Sequence, residues 1–177
     1  MQKNLFNQVF GRITRIGSAP VDEDELKLQK SILVIASIPF VVSGVAWGIM
    51  YVYFGEVIAA LIPLLYSIFS IASLLYFSKS RKFGVFRFSQ LLLILLLPFA
   101  LMISLGGFIN GSVVIIWSLI SPLGALLFDK QKNAPKWLLA FVVLVMVSVI
   151  LQPWIRESSN LTETQVNLFF VINLAAV

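Results

Sequence analysis

From Ser31 to Phe54 the chain carries no charged residue. The same holds from Val57 to Phe77, from Phe88 to Gly106 or Gly107, from Val113 to Phe128 and from Trp137 to Ile155. A helix of about 20 apolar residues covers the roughly 30 Å of hydrocarbon in a bilayer. With no water to satisfy backbone N–H and C=O groups there, such runs fold as helices. The sequence therefore predicts an all-α, polytopic membrane protein with about six transmembrane helices. Residues 1–30 form an amphipathic, cytoplasmic N-terminal segment, and residues 31–177 form the transmembrane bundle. The fourth run is short and calls for local thinning of the bilayer or a tilted neighbour. The sixth starts near Val166 and is still apolar at Val177. About a dozen residues rise only some 18 Å, so the sixth helix reads as truncated, and the natural polypeptide is expected to continue or to have been cut.

Composition agrees. Hydrophobic residues make up 59% of the chain and charged residues 12%, where a soluble domain carries about a quarter charged. There is no cysteine and no histidine, which excludes disulfides, Cys/His zinc sites, histidine-ligated haem and a Ser-His-Asp triad built from this chain alone. The net charge of +5 is read as the basic flanks of membrane helices and not as a nucleic-acid surface, so no nucleic-acid partner is expected. No cleavable signal peptide is visible, because the first apolar run begins only at Ser31 and is too long for a signal-peptide core.

The basic residues take sides. Lys3, Arg12, Arg15, Lys27 and Lys30 precede the first run. Lys79, Arg81, Lys82 and Arg87 lie between the second and third, and Lys130, Lys132 and Lys136 between the fourth and fifth. Arg156 alone falls in the other set of connections. Cytoplasmic loops concentrate Lys and Arg. The N-terminus is therefore placed in the cytoplasm of a multi-pass membrane protein, with the lipid bilayer as its first partner. Before the first run, Leu5, Phe6, Val9, Phe10, Ile13 and Ile16 share one helical face and Lys3, Asn4, Gln8, Arg12 and Arg15 the other, an amphipathic helix suited to anionic lipid. Gly17 ends it. A second helix begins at Ser18-Ala19-Pro20, with Asp22, Glu23, Asp24 and Glu25 favouring the positive end of its dipole, and runs into the first span.

Several features have two readings. Gly44 and Gly48 form a GxxxG pattern, either a homodimer seam or close packing within one bundle. Pro39, Pro63, Pro98 and Pro122 each interrupt a span, either as hinges around a ligand pocket or as ordinary bends. Gly106-Gly107-Phe108-Ile109-Asn110-Gly111-Ser112 is a tight uncharged turn or the lining of an outer site. Asn110-Gly111-Ser112 and Asn160-Leu161-Thr162 match the glycosylation sequon, a weak pattern. Tyr51, Tyr53, Trp117, Trp137 and Trp154 read as an interfacial belt or as a ligand cage. No ionisable residue lies deep in a span, where ion-coupled transporters place one. No phosphate loop, carboxylate pair or metal cluster is visible. The expected catalytic, cofactor-binding and metal-binding residues are accordingly none.

The order of several segments is informative: Gly17-Ser18-Ala19-Pro20, Asp24-Glu25 with Leu28-Gln29-Lys30, Phe54-Gly55-Glu56, Phe86-Arg87-Phe88-Ser89-Gln90-Leu91, Gly106-Gly107-Phe108 with Asn110-Gly111-Ser112, Ser121-Pro122-Leu123-Gly124-Ala125, and Gln152-Pro153. Together they resemble the N-terminal six-helix membrane region of bacterial class III adenylate/guanylate cyclases, over essentially the whole chain. The resemblance implies a membrane anchor, sensory and dimerisation module for a cytoplasmic cyclase domain beyond the sixth helix. That domain would work in signal transduction and cAMP biosynthesis, with two metal-binding aspartates that no position here matches. The alternatives are a small transporter or channel subunit, and the input region of a membrane histidine kinase.

Overall fold

A computed structural model describes residues 11, 13, 16–155 and 159–176. Its main elements are α1 (Asp24–Tyr53), α2 (Val57–Ser80), α3 (Phe83–Ser104), a 3-10 segment (Val114–Leu119) that continues into α4 (Ile120–Phe128), α5 (Ala134–Leu151) and α6 (Glu163–Ala176). Short 3-10 turns at Gln131–Asn133 and Gln152–Trp154 flank α5. No strand occurs among the described residues. Four helices are long and apolar enough to cross a membrane: α1, α2, α3 and the Gln131–Trp154 stretch that contains α5. The fourth run folds as a shorter apolar helical unit, Val114–Phe128, and the described part of the sixth falls within the 14-residue α6. Consecutive helices pack side by side, α1 on α2, α2 on α3, α3 on the 3-10 segment and α4, and α4 on α5. Phe169 of α6 meets Trp47, Tyr51 and Phe54 at one end of α1.

The polarity of this bundle is inverted relative to a soluble protein. Val42, Ile49, Ile58, Leu127, Leu139 and Ile150 are all more than half exposed, while Ser67, Ser70, Gln90, Ser118 and Ser121 are buried. Leaving apolar side chains outside costs nothing where the solvent is hydrocarbon, whereas an inward hydroxyl must find a partner. The serines do. Ser67 donates to Val41 O across the α1–α2 seam, Ser118 to Leu95 O and Ser121 to Leu91 O of α3.

Close approach at that first seam explains the glycines. A Cβ on Gly44 would sit 2.8 Å from Pro63 O, and one on Gly48 would meet Leu64. The pair is thus occupied by α2 of the same chain, and the homodimer-seam reading of these glycines gives way to packing within the bundle. The α3–3-10 connection needs glycine for a second reason. Gly106 and Gly107 have φ of 96° and 98°, a region open to glycine at little cost. Gly107 also lies against the Gln152 side chain, whose Oε1 accepts from Phe108 N at 3.0 Å.

The second predicted helix starts later than its composition suggests, at Asp24 instead of Ser18. Asp22 is drawn out of any helix because its carboxylate accepts from Ala19 N at 2.6 Å and from Lys30 Nζ at 2.8 Å, while Lys30 also donates to Gly17 O. Most of the predicted N-terminal amphipathic helix (residues 4–16) lies outside the described residues. Ile13 and Ile16 are described, and they pack on the cluster of Leu33, Val34, Phe77, Phe83, Phe86 and Phe128 at the basic end of the bundle.

Candidate functional site

The helix-breaking residues converge. Pro39 of α1, Pro63 of α2 and Pro98 of α3 all line one cavity of about 330 Å³. Each proline removes an N–H from its helix and frees the carbonyl one turn earlier, so three helices are weakened where they border one cavity. Pro122 of α4, the fourth interrupted span, lies elsewhere.

The remaining walls come from five elements. From α1, Phe40, Ser43, Trp47 and Tyr51 face the space. Tyr66 of α2 and Ile94, Leu97 and Leu101 of α3 close two sides, and Val114, Trp117 and Asn173 close the far one. Asn173 fixes that far wall. Its Oδ1 accepts from Trp117 Nε1 at 3.0 Å and its Nδ2 donates to Ser112 O at 2.9 Å. Ser112 Oγ in turn donates to Val166 O at 2.8 Å. These bonds hold α6 against the 3-10 segment, and Phe40 meets Trp117 edge-on at 6.4 Å. Of the two asparagines in the sixth run, only Asn173 turns inward; Asn167 is exposed.

No ionisable acid or base lines the cavity, whose titratable side chains are only tyrosines. The hydroxyl of Tyr66 and the Nε2 of Gln90 are buried without a hydrogen-bond partner among the described residues. Ser70, one turn from Tyr66, donates to Gln90 Oε1 at 2.9 Å and makes no well-formed bond to the phenol. No family model, curated protein or solved structure matches the chain.

Two polar clasps hold the ends. At the basic end, Arg87 forms an ion pair with Asp129 at 2.8 Å and donates to Phe128 O. Burial pushes the Asp129 carboxyl up. The Lys130 N–H, Asn133, the Trp137 indole and Arg87 together outweigh that and hold it below the ordinary carboxylate value. At the opposite end, the Glu56 carboxylate accepts from Asn160 N, and Asn160 Nδ2 donates to Gly55 O at 3.2 Å. Among the described residues, no three His, Cys, Asp or Glu side chains gather into a metal-binding group.

The aromatic-belt expectation divides. Tyr53 and Trp154 are 84% and 74% exposed near helix ends, as a belt requires. Tyr51 and Trp117 instead line the cavity, and Trp137 serves Asp129. The prolines were visible in the sequence, but their convergence was not. It depends on the register between α1, α2 and α3, which a single sequence does not display.

Proposed function

We propose that this chain is the membrane module of a class III adenylate/guanylate cyclase. In this reading it has six transmembrane spans, lies in the bacterial inner membrane with its N-terminus in the cytoplasm, and works as a homodimer. The distribution of Lys and Arg supports the orientation. The fourth span is supported by its geometry. Six residues of 3-10 helix rise about 2.0 Å each, so Val114–Phe128 reaches about 26 Å where a pure α-helix would reach about 22 Å. The cyclase output rests on the ordered segments described above. Since α2 covers Gly44 and Gly48, the proposed homodimer uses another surface.

The observation that favours a regulatory module over a plain anchor is the convergence of three prolines on one internal space. A packed bundle with one locally weakened region has a place to hold two arrangements. A ligand shifts such an equilibrium only through different affinity for the two. The test uses the complete reading frame. It is expected to encode a cyclase domain after the sixth span and to produce cyclic nucleotide. One to four alanines inserted just after that span should change activity with residue number, since each turns a continuous helix by about 100°. A histidine-kinase domain or a stop codon in place of the cyclase domain overturns the output. Equal activity across all four insertions leaves an anchor alone.

A further inference from the structure

The cavity has a mouth at bilayer depth. Pro39 and Ser43 both line it and are both exposed on α1, in the middle of a charge-free run that faces hydrocarbon. Whatever reaches the space by this route comes from the lipid phase. It must also be neutral, because no charged side chain lines the walls and an uncompensated ion there would be costly.

The α1 wall runs from Pro39 to Tyr51, about 18 Å along the axis at 1.5 Å per residue. A volume of about 330 Å³ drawn out over that length is elongated, and it suits an extended hydrocarbon chain.

The polar groups lie within. Tyr51 is buried in the aromatic cluster with Trp47 and Phe169, and its hydroxyl makes no hydrogen bond to a described residue. Ser43, two turns earlier, is likewise without a bond at the mouth. Unsatisfied hydroxyls in a hydrocarbon setting are expensive.

We propose that this cavity binds a neutral, single-chain amphiphile drawn from the bilayer. Its alcohol or carbonyl oxygen pairs with the Tyr51 hydroxyl, and its tail leaves past Ser43 and Pro39 into lipid. The proposal rests on the chain lying in a bilayer and not on the cyclase output, and its test reads binding alone.

The chain has four tryptophans. With Trp137→Phe and Trp154→Phe, Trp47 and Trp117 are the remaining emitters, and both line the cavity. The full chain in phosphatidylcholine nanodiscs is titrated with bromodecanol, whose bromine quenches indole emission. Bromodecane supplies the same tail without a head, and bromodecanoate supplies a charged head. Bromodecanol is expected to quench saturably. Tyr51→Phe, which keeps the ring contacts, should weaken that binding about tenfold, the worth of one good hydrogen bond. Ser43→Phe should block it, with circular dichroism reporting the fold of both variants. Linear quenching of equal slope by all three probes means that bulk lipid tails fill the space, and it overturns the proposal. So does saturable quenching that Tyr51→Phe leaves unchanged, or no quenching at all.

Discussion

Asp129 caps the end of α4 with its side chain 8% exposed, against an Arg87 side chain 21% exposed. Four donors keep the carboxylate charged in that position, so its proton affinity is lower in the folded chain than in the unfolded one. The sign follows directly. The stabilisation is complete above the unfolded value of about 3.9 and is lost as pH falls through the lower folded value. Thermal melts in detergent should therefore show no pH dependence from this group between pH 5 and 8, where its stabilisation is full and constant because carboxylates stay ionised, and a decline below about pH 4 that Asp129→Asn removes. At neutral pH, Asp129→Asn should cost about 2 kcal/mol, the worth of hydrogen bonds to a charged group. The two glycines of α1 should part company in the same assay. Gly44→Ala drives a methyl toward the Pro63 backbone, which cannot step aside, and should cost about 1–3 kcal/mol. Gly48→Ala meets the flexible Leu64 side chain and should cost less. Equal losses would contradict the packing described for this seam.

At the scale of elements, the 3-10 segment is the piece that ordinary helical periodicity does not reveal. Its entrance is strained, with Ser112 and Val113 at φ of 52° and 54°, a region costly for a β-branched residue. Hydrogen bonds from outside the element hold it there: Ser112 to Val166, Asn173 to Ser112, and Ser118 to Leu95. Replacing Ser118 and Ser121 together with alanine should release this layer from α3 at about 0.6 kcal/mol per bond, read as increased amide exchange over 114–128. The hydrophobic runs disclosed where the helices lie to within a few residues, because burial in lipid leaves few other options. They disclosed neither the 3-10 winding nor the Gly107–Gln152 contact, since both depend on partners distant in the chain. The quoted segments behave instructively. Gly17 and Lys30, Leu91 and Ser121, and Phe108 and Gln152 are joined by hydrogen bonds between or within them, while Gly55 and Arg87 reach outside them to Asn160 and Asp129. Short polar and glycine-bearing stretches stood out in an apolar sequence because they tie helices together.

Over the whole molecule, apolar side chains face outward and serines inward, and the charges gather at the two ends. Bundle-like membrane architecture was legible from the runs alone. The cavity was legible only as scattered prolines and aromatics, because its walls come from five elements whose mutual register is a property of the packed state. The proposed orientation makes every connection alternate sides, with the shortened Val114–Phe128 unit counted as a full crossing. Single-cysteine labelling in intact cells tests that most directly, and the absence of native cysteine keeps the background clean. The best outer site is Ile109, which is 79% exposed; Glu56 is a poor one, since it is 7% exposed and bonded to Asn160. Arg81 and Lys132 are exposed in the basic connections. A membrane-impermeant thiol reagent should modify Ile109→Cys and spare Arg81→Cys and Lys132→Cys until the cells are opened. Labelling of Ile109→Cys and Lys132→Cys alike in intact cells would contradict the account, because the two lie on either side of the segment proposed to cross.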